Sequence, residues 1–324
     1  MVGIGVVHEE ISLIIINCSD VASLNQGEAL RSLRGWRDIS HVEGHPAYAC
    51  ESVRMWYLPE KVLWEDFLDR RWSQATGETV CEAIFPSRHS AVSGQASLTL
   101  HPIGIPHLPS GEQGQYGGIG GKAPPPNTRI ASWWRMLNER WGQNSELCDF
   151  DLSLEVTHHG PYLDAPSLFI EVGSTEATWG HQGAAEFLAK ITHDALFEQG
   201  NGSVWNESQH RDSLVLMTLG GGHYAPRANV LAGYDDVWLG HMLATYALPF
   251  EKRDGVPGGN WAQSIDAAVD ATMLAFPGGK IVIYMDKKSF KGWQRQAIRD
   301  HLAEKNLPLM NSKAFLKAMG IANN

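Results

Sequence analysis

Apolar runs with strand character recur along this chain, and several of them end in a histidine or a glycine turn. Ser97 to Leu100 runs into His101-Pro102, and Asp151 to Thr157 into His158-His159-Gly160-Pro161. Leu214 to Leu219 leads into Gly220-Gly221-Gly222-His223, and Leu168 to Val172 ends in Gly173-Ser174-Thr175-Glu176. Segments with helical spacing alternate with such runs. That alternation predicts an α/β fold with a mixed, mostly parallel sheet flanked by helices. As neighbours in one sheet, the strands would gather these groups along its carboxyl edge, where open α/β sheets bind their ligands. The pattern therefore points to a polar, His-rich site on an α/β enzyme.

The remaining elements are read from periodicity and breakers. Residues 11–17, 54–58, 79–85 and 280–285 read as strands. Helices are expected at 20–34, where Asp20 can cap the first turn, and at 130–141, 181–199, 264–276 and 289–306. Residues 104–127, rich in Gly and Pro, form a long irregular loop, and such a loop in a compact domain is commonly functional. Residues 201–212 read as a polar surface insertion. A chain of 324 residues can bury a substantial core, and one α/β catalytic domain over 1–324 is the expectation.

Four cysteines lie far apart with no C-x-x-C pair, so neither a thiolate zinc site nor a disulfide framework is suggested. That favours a reducing, cytoplasmic compartment, and no signal peptide or membrane segment is expected: Ile11 to Ile16 is too short to span a bilayer. A net charge of −10 argues against an all-over electrostatic nucleic-acid binder. A local basic stripe does occur: Lys288, Lys291, Arg295 and Arg299 step by three and four residues, with Phe290 and Trp293 interleaved. It is either a solvated helix face or a track for phosphates.

His158 and His159 would face opposite ways on a strand, and only a turn lets both reach one site. As neutral imidazoles they can hold zinc, with Glu155, Glu171, His101 or His223 completing the set. Alternatively one acts as ligand or acid–base group while the other makes structural hydrogen bonds. Gly220 to Gly222 can present backbone amides to an oxyanion or carbonyl oxygen, and His223 follows them as ligand or base. Glu171 lies inside an apolar run, so its carboxylate needs a partner, which a metal or an imidazole would supply. Ser174 or Thr175 can cap a helix that Glu176 begins. Arg88 and His89 after Pro86 either bind phosphate or lie in a solvated loop. Ser87 and Ser90 lack the setting of a nucleophile elbow.

In these residues the chain resembles the archaeal and plant type of D-aminoacyl-tRNA deacylase. The motifs that carry the resemblance include Ser87-Arg88-His89-Ser90 with Gly94, Leu98 to Gly104, and Pro124 to Ile130. Thr157 to Pro161, Glu171 to Glu176 with Trp179, Gly220 to Arg227, Gly258 to Trp261 and Lys288 to Trp293 continue it in order along nearly the whole chain. The resemblance implies hydrolysis of the ester of D-aminoacyl-tRNA, D-tyrosyl-tRNA among them, with zinc as cofactor. It also implies a fold related to bacterial peptidyl-tRNA hydrolase and nucleoside phosphorylase. On that reading His158, His159, His223 and Glu171 are catalytic and, with His101, bind metal; Arg88, Lys288, Lys291, Arg295 and Arg299 bind tRNA. Peptidyl-tRNA hydrolysis, nucleoside phosphorolysis and a non-catalytic tRNA-binding module are the alternatives on such a fold. Two departures stand out: Gly180-His181-Gln182-Gly183 replaces a basic pair and Gln-Asp, and Ala228 replaces a histidine.

Overall fold

The computed structural model describes residues 9–198, 203–252 and 256–321. Its first strand, β1 (Glu10–Asn17), is the run Glu-Ile-Ser-Leu-Ile-Ile-Ile-Asn, buried along nearly its whole length. Strands covered on both faces are continuous rather than alternating apolar runs, and this one sits inside a sheet. Asp20 caps α1 (Val21–Ser32) by accepting the amides of Ala22 and Ser23. An antiparallel hairpin follows, β2 (Arg37–Val42) and β3 (His45–Cys50), and leads into β4 (Val53–Leu58) and then α2 (Leu68–Thr76). The mostly exposed β2 carries too little apolar pattern to announce itself in the sequence.

The next elements are β5 (Thr79–Ser90), β6 (Ser97–His101), α3 (Ile130–Trp141), β7 (Asp151–Leu154) and β8 (Ser167–Ser174). Together they complete an eight-stranded sheet of order β2-β3-β4-β1-β5-β8-β6-β7. Its centre, β4-β1-β5-β8, is parallel, but β6 runs antiparallel to β8, and β7 runs parallel to β6. Trp133 and Trp134 of α3 are both buried and belong to the core face of that helix.

Helices α4 (Glu176–Trp179), α5 (Gln182–Phe197) and α6 (Glu207–His210) lead to β9 (Leu214–Leu219). Beyond it come α7 (Pro226–Ala232) and β10 (Trp238–Leu243), and then the two-residue pair β11 (Glu251–Lys252) and β12 (Pro257–Gly258). The chain finishes with α8 (Trp261–Ala275), β13 (Lys280–Met285), α9 (Gly292–Glu304), β14 (Leu309–Met310) and α10 (Ser312–Ala318). A second, all-parallel sheet has the order β10-β9-β13-β14. One hydrophobic cluster takes residues from both sheets, among them Leu98, Leu154 and Ile170 from the first and Leu216, Leu239 and Val282 from the second.

The strands that carry the singled-out groups therefore do not share one carboxyl edge. β9 belongs to the second sheet, and β6 and β7 run against β8. Residues 104–127 are irregular apart from isolated bridges, and α6 occupies part of the expected 201–212 insertion, whose residues 201 and 202 lie outside the described residues. The helix expected to reach residue 199 is described as far as Phe197. No helix among the described residues is long and apolar enough to cross a membrane.

Candidate active site

Five segments bring their side chains to one place. Glu171 comes from the middle of β8, His89 from the end of β5, and His101 from the end of β6. The chain beyond β7 carries Glu155, His158 and His159, and the glycine turn after β9 brings His223. Backbone bonds fix that last approach: Val156 donates to the His223 carbonyl at 3.0 Å, and Ala225 donates to the Leu154 carbonyl at 3.2 Å. Thr157 donates to the Met242 carbonyl at 2.7 Å, which ties the same stretch to β10. Buried His241 supports the join: it shares a hydrogen bond with Thr157 Oγ1 at 2.9 Å and another with the Pro124 carbonyl at 3.0 Å. His159 lies in the left-handed region at φ 39°, and this turn lets two consecutive imidazoles face one centre.

Glu155, with no exposure, lies at the middle. Its Oε2 accepts from His223 Nε2 at 3.0 Å and lies 3.6 Å from His158 Nε2. His89 Nδ1 stands 3.0 Å from Oε1 but off the hydrogen-bond direction, so that oxygen has no hydrogen-bond partner among the described residues. The outer nitrogens of the two flanking imidazoles meet tyrosines: His89 Nε2 lies 3.0 Å from Tyr224 OH, and His223 Nδ1 lies 3.3 Å from Tyr246 OH. Glu171, also buried, places Oε2 3.6 Å from both His89 Nδ1 and His101 Nε2. The partners that a carboxylate in an apolar strand requires are thus a pair of imidazoles and the Thr99 hydroxyl, which donates to Oε2 at 3.4 Å.

Three of the histidines are oriented alike. His101, His158 and His159 direct Nδ1 at the backbone carbonyls of Pro102, Val156 and Gly160, at 3.0, 2.7 and 2.6 Å. A carbonyl only accepts, so each Nδ1 carries a proton, and each Nε2 offers a lone pair when its ring is neutral. Metal-ligating histidines are held in this way. His101 Nε2 is buried and has no hydrogen-bond partner among the described residues. Burial, and then the neighbouring imidazoles, push His158 well below the ordinary imidazole range, and burial with the His101 charge takes His159 to about 3. Both are neutral donors at neutral pH. Burial opposes charge on His101 and His89 too, but Glu171 and Glu155 outweigh it and raise both. Burial would raise Glu171, yet His101 and His89 hold it well below the usual carboxylate range.

Donor atoms of His101, His158 and His159 lie within 4.8 Å of one another, as do those of His89, Glu155 and His223, and those of His101, Glu155 and Glu171. Imidazoles with tied Nδ1 atoms, two buried carboxylates and orphaned Nε2 and Oε1 atoms make a donor set suited to zinc. The centre opens into a cleft of about 730 Å³ along the carboxyl ends of β1, β4, β5 and β8, lined by Asp20, Lys61, Trp64, Arg88, Tyr116 and Trp179 among others. Phe85 and Phe169 stack at 4.7 Å on one wall, and His101 stacks on Phe169 at 5.2 Å.

Several sequence expectations change at this point. The amides of Gly220 and Gly221 are already donated, to the Leu243 carbonyl and to Ser289 Oγ, both at 2.7 Å, so neither is free for an oxyanion. Gly222 has no such bond among the described residues. The Ser87 to Ser90 stretch is not a loop: β5 continues through it, pairing with β8 as far as Ser90. Arg88 is exposed and lies over the Trp179 ring at 4.7 Å, while its amide donates to Asp20 Oδ2.

The basic stripe is not one helix face. Lys288 and Lys291 precede α9 and only Arg295 and Arg299 lie on it, while Phe290 is buried in the core. Arg295 Nη1 is occupied by the carbonyls of Lys287 and Phe290, at 3.1 and 2.6 Å. None of the four lines the cleft. At the two departures from the resemblance, His181 accepts the Ala184 amide as the cap of α5, and Ala228 is buried. Sequence reasoning left His89 as a phosphate binder or loop residue and gave no role to Tyr224 or Tyr246. Recognising that β5 runs past Pro86 would have aligned His89 with Gly173, two residues from Glu171.

Fold and site together define an α/β protein with a buried histidine–carboxylate centre at the floor of a strand-end cleft. The D-aminoacyl-tRNA deacylase family model matches residues 76–310, which span every residue of that centre. A D-aminoacyl-tRNA deacylase of Arabidopsis thaliana is 41% identical over 92% of this chain and 97% of its own. One of Thermococcus kodakarensis is 29% identical over 86% and 92%. This chain belongs to the D-aminoacyl-tRNA deacylase family. Its fold is shared by the crystal structure of a conserved protein of unknown function, at a TM-score of 0.76 and 24% identity over 94% of this chain and 96% of that one.

Proposed function

We propose that this protein hydrolyses the ester between a D-amino acid and tRNA, releasing both, and that it works in the cytoplasm with zinc at the histidine–carboxylate centre. The observation that carries the reading is the set of three imidazoles whose Nδ1 protons are tied to backbone carbonyls and whose Nε2 atoms converge beside Glu155 and Glu171. Membership of the family supplies the substrate. His101, His158 and His159 would hold the metal through Nε2, with Glu171 available to complete the set. Zinc bound there would supply a Lewis acid for the ester carbonyl and for activation of water near neutral pH.

The protein's own groups do the rest. Glu155 and His223, joined at 3.0 Å, take the proton of the attacking water and return one to the ribose oxygen as the acyl–oxygen bond breaks. Glu171 keeps His101 and His89 oriented. The Gly222 amide is the one of its glycine triplet left to face a developing oxyanion. The exposed Lys288, Lys291 and Arg299, and Arg88 at the cleft, contact phosphates of the tRNA, so binding weakens as salt rises. His158→Ala and His223→Ala, assayed on D-tyrosyl-tRNA, are expected to abolish turnover while circular dichroism stays that of the parent. Parental rates in both variants would remove this site assignment.

A further inference from the structure

Eleven of the twelve tryptophans are buried or half-buried; Trp64 is 41% exposed, and it stands in the wall of the cleft that holds His158 and His159. Tyr116, from the glycine-rich loop, lines the same cleft and is 55% exposed. Both rings line one cleft beside the histidine centre, and exposed apolar surface gathered in a groove marks a binding site. The backbone that carries them is closely packed. A Cβ on Gly117 would overlap the Leu63 carbonyl, next to Trp64, and a Cβ on Gly160 would overlap the Gly118 amide. Gly160 also donates to the Tyr116 carbonyl at 3.0 Å. Gly160 directly follows His159, so the aromatic rim and the histidine turn form one tightly packed unit.

Two cations share the cleft. Lys61 is exposed and pairs at 3.8 Å with Glu60, which also lines the cleft. Arg88 lies over Trp179, whose Nε1 donates to the His89 carbonyl at 2.7 Å. Of the cleft's acids, Asp20 is already engaged by the amides of Ala22, Ser23 and Arg88 and the Ser87 hydroxyl. Exposed aromatic faces beside exposed cations match unpaired nucleotides: any base can stack, and each phosphate meets a positive charge. An amino-acid side chain carries no phosphate and leaves Lys61 and Arg88 unused.

We propose that Trp64, Tyr116, Lys61 and Arg88 bind the single-stranded 3′ end of tRNA, with the terminal bases stacked on the two rings and the ester carried down to the histidine centre. This rests on the tRNA reading above and adds the place where the acceptor end is held.

The test is fluorescence anisotropy with a 5′-labelled, unacylated RNA hexamer ending in CCA. Trp64→Ala and Tyr116→Ala are each expected to weaken binding by about 5-fold or more, the lower end of what one stacked base contributes. Trp64→Phe keeps a ring and restores most of the affinity. Lys61→Gln flattens the salt dependence. Should Trp64→Ala fail to fold, Tyr116→Ala carries the same readout from an exposed loop position.

Affinities within twofold of the parent in both alanine variants would overturn the proposal. So would competition by free D-tyrosine that depends on Trp64, since the rim would then be an acyl-side-chain pocket. Deacylation by the parent protein is measured alongside. Hydrolysis with unchanged hexamer binding in the variants refutes the rim alone, whereas no hydrolysis refutes the activity and leaves the binding result to be judged separately.

Discussion

Replacing Glu155 by Gln separates the centre's chemistry from its contribution to the fold. The amide has the shape of the carboxylate, so its oxygen can keep the 3.0 Å bond from His223 while its NH₂ turns to the unpartnered Oε1 position facing His89. Exchanging a charge-assisted bond for a neutral one costs about 1–2 kcal/mol. Against that, a fully buried carboxylate no longer has to be stripped of water, a penalty of comparable or larger size. The two nearly cancel, and the melting temperature is expected to move by no more than a few degrees. Activity behaves differently. The amide can neither accept the proton of water nor hold it for the leaving ribose oxygen, and loss of a positioned acid–base group lowers turnover by about 10²- to 10⁴-fold. Thermal unfolding and single-turnover deacylation of D-tyrosyl-tRNA measure the two effects. A variant that turns over within threefold of the parent would show that Glu155 takes no part in the chemistry.

His241 gives a pH-dependent prediction away from the centre. Burial lowers its pKa from 6.5 to about 4, so the folded state resists the proton that the unfolded state takes up. Stability is therefore full above pH 6.5 and falls by up to about 3 kcal/mol as the pH drops to 4; His241→Gln should flatten that limb of the melting curve, and an unchanged slope would contradict it. Gly117→Ala places a Cβ on the Leu63 carbonyl at φ 71° and is expected to destabilise by about 1–3 kcal/mol in a denaturant titration. His158→Ala should reduce the zinc retained after dialysis, measured by atomic emission, whereas Trp179→Phe, outside the donor set, should not. Replacing Lys288, Lys291 and Arg299 together by Gln should raise KM for tRNA and lower its salt dependence, with kcat little changed.

The sequence expresses some parts of this structure more clearly than others. β1, α3 and β13 are continuous or strongly periodic apolar segments, and their ends fall where the pattern stops. The His158-His159-Gly160-Pro161 turn was visible because no strand could point both rings one way. Strand direction is not written in periodicity: an apolar run reads the same parallel or antiparallel, so the reversal of β6 and the second sheet built on β9 were not visible. Pro86 hid the last third of β5, because proline normally ends a strand. It is tolerated here since the β1 pairing stops at Ile84 and leaves one side of β5 open. The glycine triplet looked like an amide nest, and only tertiary contacts with Leu243 and Ser289 show two of its amides to be engaged. The basic stripe was a helical projection applied across a helix boundary, with Lys288 and Lys291 outside α9.

The account stands most directly on one assay. Purified protein is incubated with D-tyrosyl-tRNA and, separately, with L-tyrosyl-tRNA, with and without a chelator, and the release of tyrosine is followed. The account predicts that the D-ester is cleaved, the L-ester is spared, and the chelator abolishes the reaction. Both esters intact after prolonged incubation with metal-replete protein would contradict it.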